Sequence, residues 1–102
     1  MEKEHRLTAF DGRLVLDPDS RIVTVDGREV RLTHADTRLL RGLIELGGGV
    51  HDSETILWKV YRIVLHPVEL RYPMAVLRVK LGEPVWIVRT GEGYGLRPPE
   101  LP

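Results

Sequence analysis

No cysteine occurs among the 102 residues, so neither a disulfide framework nor a thiolate metal site is available, and thiol usage does not constrain the compartment. Net charge is missing as well. Fifteen basic side chains are cancelled by fifteen acidic ones, which removes the overall basic surplus typical of strong non-specific polyanion binders. No apolar run approaches the roughly 20 residues that span a bilayer, and the opening MEKEHRLTAF lacks an apolar signal segment, so a cytoplasmic protein is expected, with no membrane partner. Histidine is sparse. His5, His34, His51 and His66 are scattered without ligand spacing, so no metal and no cofactor is expected. Ser20 and Ser53 lie in a turn and near a helix start, away from any nucleophile motif, and no catalytic residue is expected.

What is present is an ordinary globular composition, 42% hydrophobic and 29% charged. The length suits one domain with one core, and residues 1–102 are read as such, with about 7–97 ordered between short tails. The charges are distributed unevenly. Residues 1–33 carry six basic and seven acidic side chains, residues 34–69 four and five, and residues 70–102 five and three, so only the last third is positive. A solvated face would explain that surplus equally well.

That last third is the most informative. Leu70, Met74, Leu77 and Leu81 fall at i, i+4, i+7 and i+11, the stripe of a helix resting on a core. Gly82 and Pro84 stop it, and the β-rich run Val85-Trp86-Ile87-Val88 follows. Thr90-Gly91-Glu92-Gly93 is a turn, and Tyr94 to Arg97 a return strand. Because Gly91-x-Gly93-x-Gly95 follows a strand without opening a helix, it reads as a tight turn and not as a phosphate loop.

Earlier segments read as a small sheet and two helices. Leu14 and Leu16 alternate with Arg13, Val15 and Asp17, Asp17-Pro18-Asp19-Ser20 turns, and Ile22 to Val25 is β-prone. Asp26-Gly27 is the strongest hairpin signal, with Arg28 to Leu32 pairing back, so about four short strands are expected. Thr33 is the expected N-cap of a first helix with Asp36 at N3, a stripe of Leu39, Leu40, Leu43 and Ile44, and a stop at Gly47. Val50-His51 is expected as a one-bridge strand and Asp52 as the N-cap of a second helix with Ile56, Leu57, Val60 and Tyr61 inward. On that stripe Trp58 falls toward the edge, where partial core burial is favoured over partner contact.

These motifs, in this order, resemble the OmpR/PhoB-type winged helix-turn-helix domain. Leu32-Thr33-x-x-Asp36-x-x-Leu39-Leu40 is similar to the family's Leu-Thr-x-x-Glu-x-x-Leu-Leu, Leu77-Arg78-Val79-Lys80-Leu81-Gly82 to its Leu-Arg-x-Lys-Leu-Gly, and Gly91-x-Gly93-Tyr94 to its wing. Tyr61 stands in the place of a family Trp. The likeness covers about residues 7–97. It implies an α+β fold with an N-terminal antiparallel sheet, three helices and a C-terminal hairpin wing. It also implies a non-enzymatic transcriptional regulator that binds double-stranded DNA, the third helix in the major groove and the wing on the backbone. The residues expected at DNA are Arg71, Tyr72, Ala75, Val76, Arg78, Val79 and Lys80 on the helix, and Arg89, Thr90 and Arg97 on the wing. Guanidinium groups fork onto guanine or phosphate, and wing glycines permit close backbone approach.

The chain also departs from that family. Pro73, Ala75, Val76 and Val79 occupy a helix face that is polar or basic in the family, Thr90 replaces an Arg, and Glu92 at the wing tip would repel phosphate. Pro73 places the helix start near Tyr72. Outward Val76 and Val79 have two readings: thymine methyl groups in the groove, or an apolar surface for a protein partner such as a second copy, in a module that has lost DNA binding. The apolar connector Arg62 to Val68 either joins that surface or extends the second helix and packs inward. With six residues before the first strand, no receiver domain is expected ahead of this one, leaving a free-standing regulator or an excised fragment.

Overall fold

Alternation at period two sets the first layer. In a computed structural model that describes residues 6–62, 66–91 and 93–100, β1 (Leu7–Ala9), β2 (Leu14–Asp17), β3 (Ile22–Val25) and β4 (Arg28–Arg31) form an antiparallel sheet in chain order. Leu14, Leu16, Val23 and Val25 point into the core, paired Leu14 with Val25 and Leu16 with Val23. The β3–β4 turn is Asp26-Gly27, both at positive φ (48° and 86°), the conformation that a right-twisted two-residue hairpin demands. Arg13 closes this end with a fork onto Asp26, at 2.7 and 3.0 Å, and its guanidinium lies over the Trp86 ring.

α1 (His34–Leu46) begins with the reciprocal cap that the sequence suggests. The Asp36 N–H donates to Thr33 Oγ1 and the Thr33 N–H to the Asp36 carboxylate, each at 3.1 Å. Its stripe buries Leu39, Leu40 and Leu43, with Ile44 partly buried at the edge. After Gly47 comes β5 (Gly49–Asp52), longer than the single bridge expected. All of its residues pair with β7 (Gly93–Leu96), which in turn pairs with β6 (Ile87–Thr90), giving the order β5-β7-β6. Glycine at both ends of the contact explains the extent. A Cβ on Gly93 would lie 2.5 Å from the His51 carbonyl oxygen, and one on Gly95 2.8 Å from that of Gly49. These glycines therefore serve the approach of β5, where the sequence suggested an approach to DNA.

α2 (Ser53–Tyr61) is capped by Asp52, which accepts from the Thr55 N–H at 2.8 Å. It ends with Arg62 in the left-handed region (φ 62°), so it does not run on into the connector. Of that connector, residues 63–65 lie outside the described residues, as does Glu92 at the wing tip. Trp58 is 55% exposed, contrary to the partial burial expected. With Ile56, Leu57 and Val60 inward, a residue advancing about 100° per position puts Trp58 on the far side of the helix and not at its edge. Replacing Trp58 with Phe should change stability by less than about 0.5 kcal/mol, as for other exposed positions. The remaining fluorescence should be the blue-shifted emission of Trp86, which is only 2% exposed; a red-shifted spectrum would contradict this placement.

A 3₁₀ turn (Pro67–Leu70) leads into α3 (Arg71–Leu81). The helix thus starts one residue before the expected Tyr72, and Pro73 remains in its first turn, where the missing N–H costs nothing. Leu70, Met74, Leu77 and Leu81 are all buried, and α3 packs on α1. The wing hairpin differs slightly from the sequence reading. β6 starts at Ile87, because Val85 and Trp86 leave the ladder and Trp86 packs under Phe10 and Arg13. β7 runs one residue earlier than expected, with Arg97 closing onto the Trp86 carbonyl at 2.8 Å. Among the described residues no helix is long and apolar enough to cross a membrane, and no group of three His, Asp or Glu is placed to hold a metal ion.

Candidate nucleic-acid interface

The geometry of α3 follows from its buried stripe. At about 100° per residue, Tyr72 and Val79 point within about 20° of one another and diametrically away from the mean direction of Leu70, Met74, Leu77 and Leu81. They are 79% and 78% exposed, the outermost side chains of the helix. Arg71, Ala75 and Arg78 lie on one flank and Lys80 on the opposite one.

The arginine flank faces the wing. Arg71, Ala75 and Arg78 line a hollow together with Met74 beneath and Ile87, Arg89 and Tyr94 from the hairpin. Arg71 and Arg89 continue into an adjoining hollow edged by His66, Val68 and Gly91. The Arg89 guanidinium rests 5.9 Å from the centre of the Tyr94 ring, its cross-strand neighbour, which holds the charge at the rim.

The other flank is structural. Lys80 donates to the Asp36 carboxylate, and Arg28 of β4 donates to the Leu81 carbonyl at 2.8 Å. Lys80 was expected at phosphate; its ammonium is instead committed to a largely buried acid on α1. Burial pushes the Asp36 carboxyl up, but the hydrogen bonds from Lys80 and Thr33 outweigh it and hold the group below the usual carboxylate range. Val76, expected to be outward, is half-buried on the Lys80 side of the helix, whereas Ala75, equally far round on the other side, is exposed.

Strand alternation divides the expected wing residues between two faces. Ile87, Arg89 and Tyr94 face α3, whereas Thr90 and Arg97 line a separate hollow with Val50, Val88, Gly95, Phe10 and Pro98 on the far side of the sheet. Grouping them by sequence position overlooked that neighbouring residues in a strand point opposite ways.

The cations sort by partner. Arg13 pairs with Asp26, Arg41 and Lys59 with Glu45, and Lys80 with Asp36, while Arg28 and Arg38 donate to the carbonyls of Leu81 and Val60. Among the described residues, Arg6, Arg21, Arg31, Arg62, Arg71, Arg78, Arg89 and Arg97 have no ion-pair partner, and of these Arg71, Arg78 and Arg89 converge between α3 and the wing. Sequence reading missed the anchoring roles of Arg28 and Asp36 toward α3, since partners tens of residues apart carry no local signal. The Arg89–Tyr94 contact was readable, because a two-residue turn makes them cross-strand neighbours.

No family model matches the chain. Over 82 residues, 78% of the chain, it is 38% identical to the transcriptional regulatory protein CutR of Streptomyces coelicolor, and equally to CutR of Streptomyces lividans. It spans 38% of the length of these curated relatives. Among solved structures, the DNA-binding domain of Klebsiella pneumoniae RstA in complex with the RstA box superposes with a TM-score of 0.74, at 25% identity, covering 93% of this chain and 99% of that one. The DNA-binding domain of CpxR from E. coli gives 0.65 at 29% identity, covering 83% and 90%.

Proposed function

The chain carries a winged helix-turn-helix domain of the OmpR/PhoB type, and from its geometry we propose that it binds double-stranded DNA as a cytoplasmic transcriptional regulator. The observation that carries this reading is the convergence of three cations between α3 and the wing. Several arginines have no ion-pair partner, but Arg71, Arg78 and Arg89 alone among the described residues are gathered, unpaired, around one hollow beside an exposed helix. Phosphate oxygens complete such a site at low cost, because each guanidinium forks onto an anion. The opposite side of α3 is packed, so the exposed edge carrying Tyr72 and Val79 enters a major groove about 12 Å wide, with the wing against the flanking backbone. Thr90 and Arg97, on the far wing face, are not assigned to this contact, and neither is Lys80. The role involves no catalysis.

Fluorescence titration of a randomised duplex pool across salt concentrations tests it. Affinity should fall linearly on a log–log plot, and Arg78→Ala or Arg89→Ala should each reduce the magnitude of the slope by about 1, while Lys80→Met leaves it unchanged. Absence of duplex binding at low salt would refute the proposal. A second reading, association with another protein or a second copy, is favoured by the exposure of Trp58, Val68, Tyr72 and Val79 together; it would show as an oligomer insensitive to salt.

A further inference from the structure

The outermost line of α3 is apolar, while its cations are set to one side. A helix seated in a groove presents its outermost line to the floor and its flank to a wall. Tyr72 and Val79, seven positions apart, would therefore meet base edges, and Arg71, Ala75 and Arg78 the backbone or the outer base edge beside them.

Only one base presents a methyl there, at C5 of thymine; cytosine offers a bare C–H at that position, and the remaining groups that distinguish the bases are hydrogen-bond donors and acceptors. A valine pressed on a guanine or cytosine edge strips water from polar atoms and returns no hydrogen bond, whereas on a thymine methyl it removes apolar surface from water. Building on the DNA-binding reading, we infer that this domain selects its target by thymine methyl groups, with Val79 and Tyr72 as specificity-determining residues. Val76 takes no part, being half-buried. Seven residues separate Tyr72 from Val79, a rise of about 10 Å, so the two methyls they meet lie about three base-pair steps apart. A protein partner suits this line less well, since the apolar strip is one side chain wide and unpaired arginines border it.

The experiment selects duplexes from a randomised pool and then replaces individual thymines of the selected site with deoxyuridine, which deletes the methyl and leaves base pairing intact. Selected sites should carry thymines about three steps apart, and each deletion at a contacted position should weaken binding about fourfold, the equivalent of about 0.8 kcal/mol. Val79→Ala, at a position where the fold does not depend on the side chain, should abolish the sensitivity at one thymine and leave the other. Val79→Asn should move the preference at that position toward adenine, whose edge matches a carboxamide. Tight binding indifferent to deoxyuridine, selected sites without thymine, or full sensitivity retained by Val79→Ala would overturn the inference while leaving DNA binding in place. Failure to bind any duplex, or a salt-independent oligomer disrupted by Val79→Asn, would overturn both.

Discussion

Gly93→Ala is expected to destabilise the protein by about 3 kcal/mol, at the upper end of the range for overpacking substitutions. The added methyl would sit 2.5 Å from the His51 carbonyl oxygen, 2.9 Å from Val50 Cγ1 and 3.1 Å from the His51 carbonyl carbon. Two of those three atoms are backbone, so no side chain can rotate away. β5 must separate from β7, and the pairing of Gly49 to Asp52 with Gly93 to Leu96 is lost from that end. Gly91→Ala is the natural control. Nothing lies within 4 Å of its Cβ, and only the left-handed backbone (φ 58°) is penalised, by about 1 kcal/mol. Urea denaturation of the two variants measures the difference directly; costs that are equal, or a Gly93→Ala cost below about 1 kcal/mol, would mean that the strands are not held this close.

The second large effect falls on Asp36. This one carboxylate accepts from the Thr33 N–H at the start of α1 and from Lys80 at the end of α3. Asp36→Ala removes a cap, worth about 1 kcal/mol, and leaves an ammonium that is about one-third exposed without its partner, for a total of about 2–3 kcal/mol. Lys80→Met should cost less, about 1 kcal/mol, because the Thr33 bond still satisfies the acid. The pH dependence has a definite sign. Since the folded pKa lies below the ordinary value, the Asp36 contribution is fully present above about pH 4 and disappears as pH falls through the lower, folded value. The stability gap between the parent and Asp36→Asn should therefore narrow on acidification. A gap that stays constant from neutral pH to about pH 2 would show that the carboxylate charge is not what stabilises the contact. Asp17, Asp26, Glu45 and Asp52 are also held low, so the difference between variants, and not the parent curve alone, isolates this group.

The contrast between these two sites explains what the sequence could reveal. The Thr33–Asp36 cap and the Asp26-Gly27 turn were legible because both partners fall within a few residues, and the leucine line from Leu70 to Leu81 because helical period is itself a sequence property. The Lys80–Asp36 pairing was illegible for the complementary reason. Its partner is 44 residues away, and nothing near it distinguishes an ammonium tied to an acid from one held out to solvent. The length of β5 was underestimated likewise, since its partner strand is remote and the glycines that admit it resemble turn residues. The unpaired set around the α3 hollow was only half legible. Arg71, Arg78 and Arg89 could be named, but that the hairpin turns Arg89 toward α3 and Arg97 away depends on a one-residue register.

The two polar ties to α3 have a mechanical meaning. Arg28 holds the Leu81 carbonyl and Asp36 holds Lys80, both in the last turn, whereas no side chain caps the helix at Leu70. Earlier turns rest on Leu70, Met74 and Leu77 through apolar contacts alone. The polar ties of α3 to the rest of the fold are thus gathered at its C-terminus. Over the arm of about 14 Å from Leu81 back to Tyr72, a tilt of about 5° moves Tyr72 by about 1.2 Å and Lys80 hardly at all.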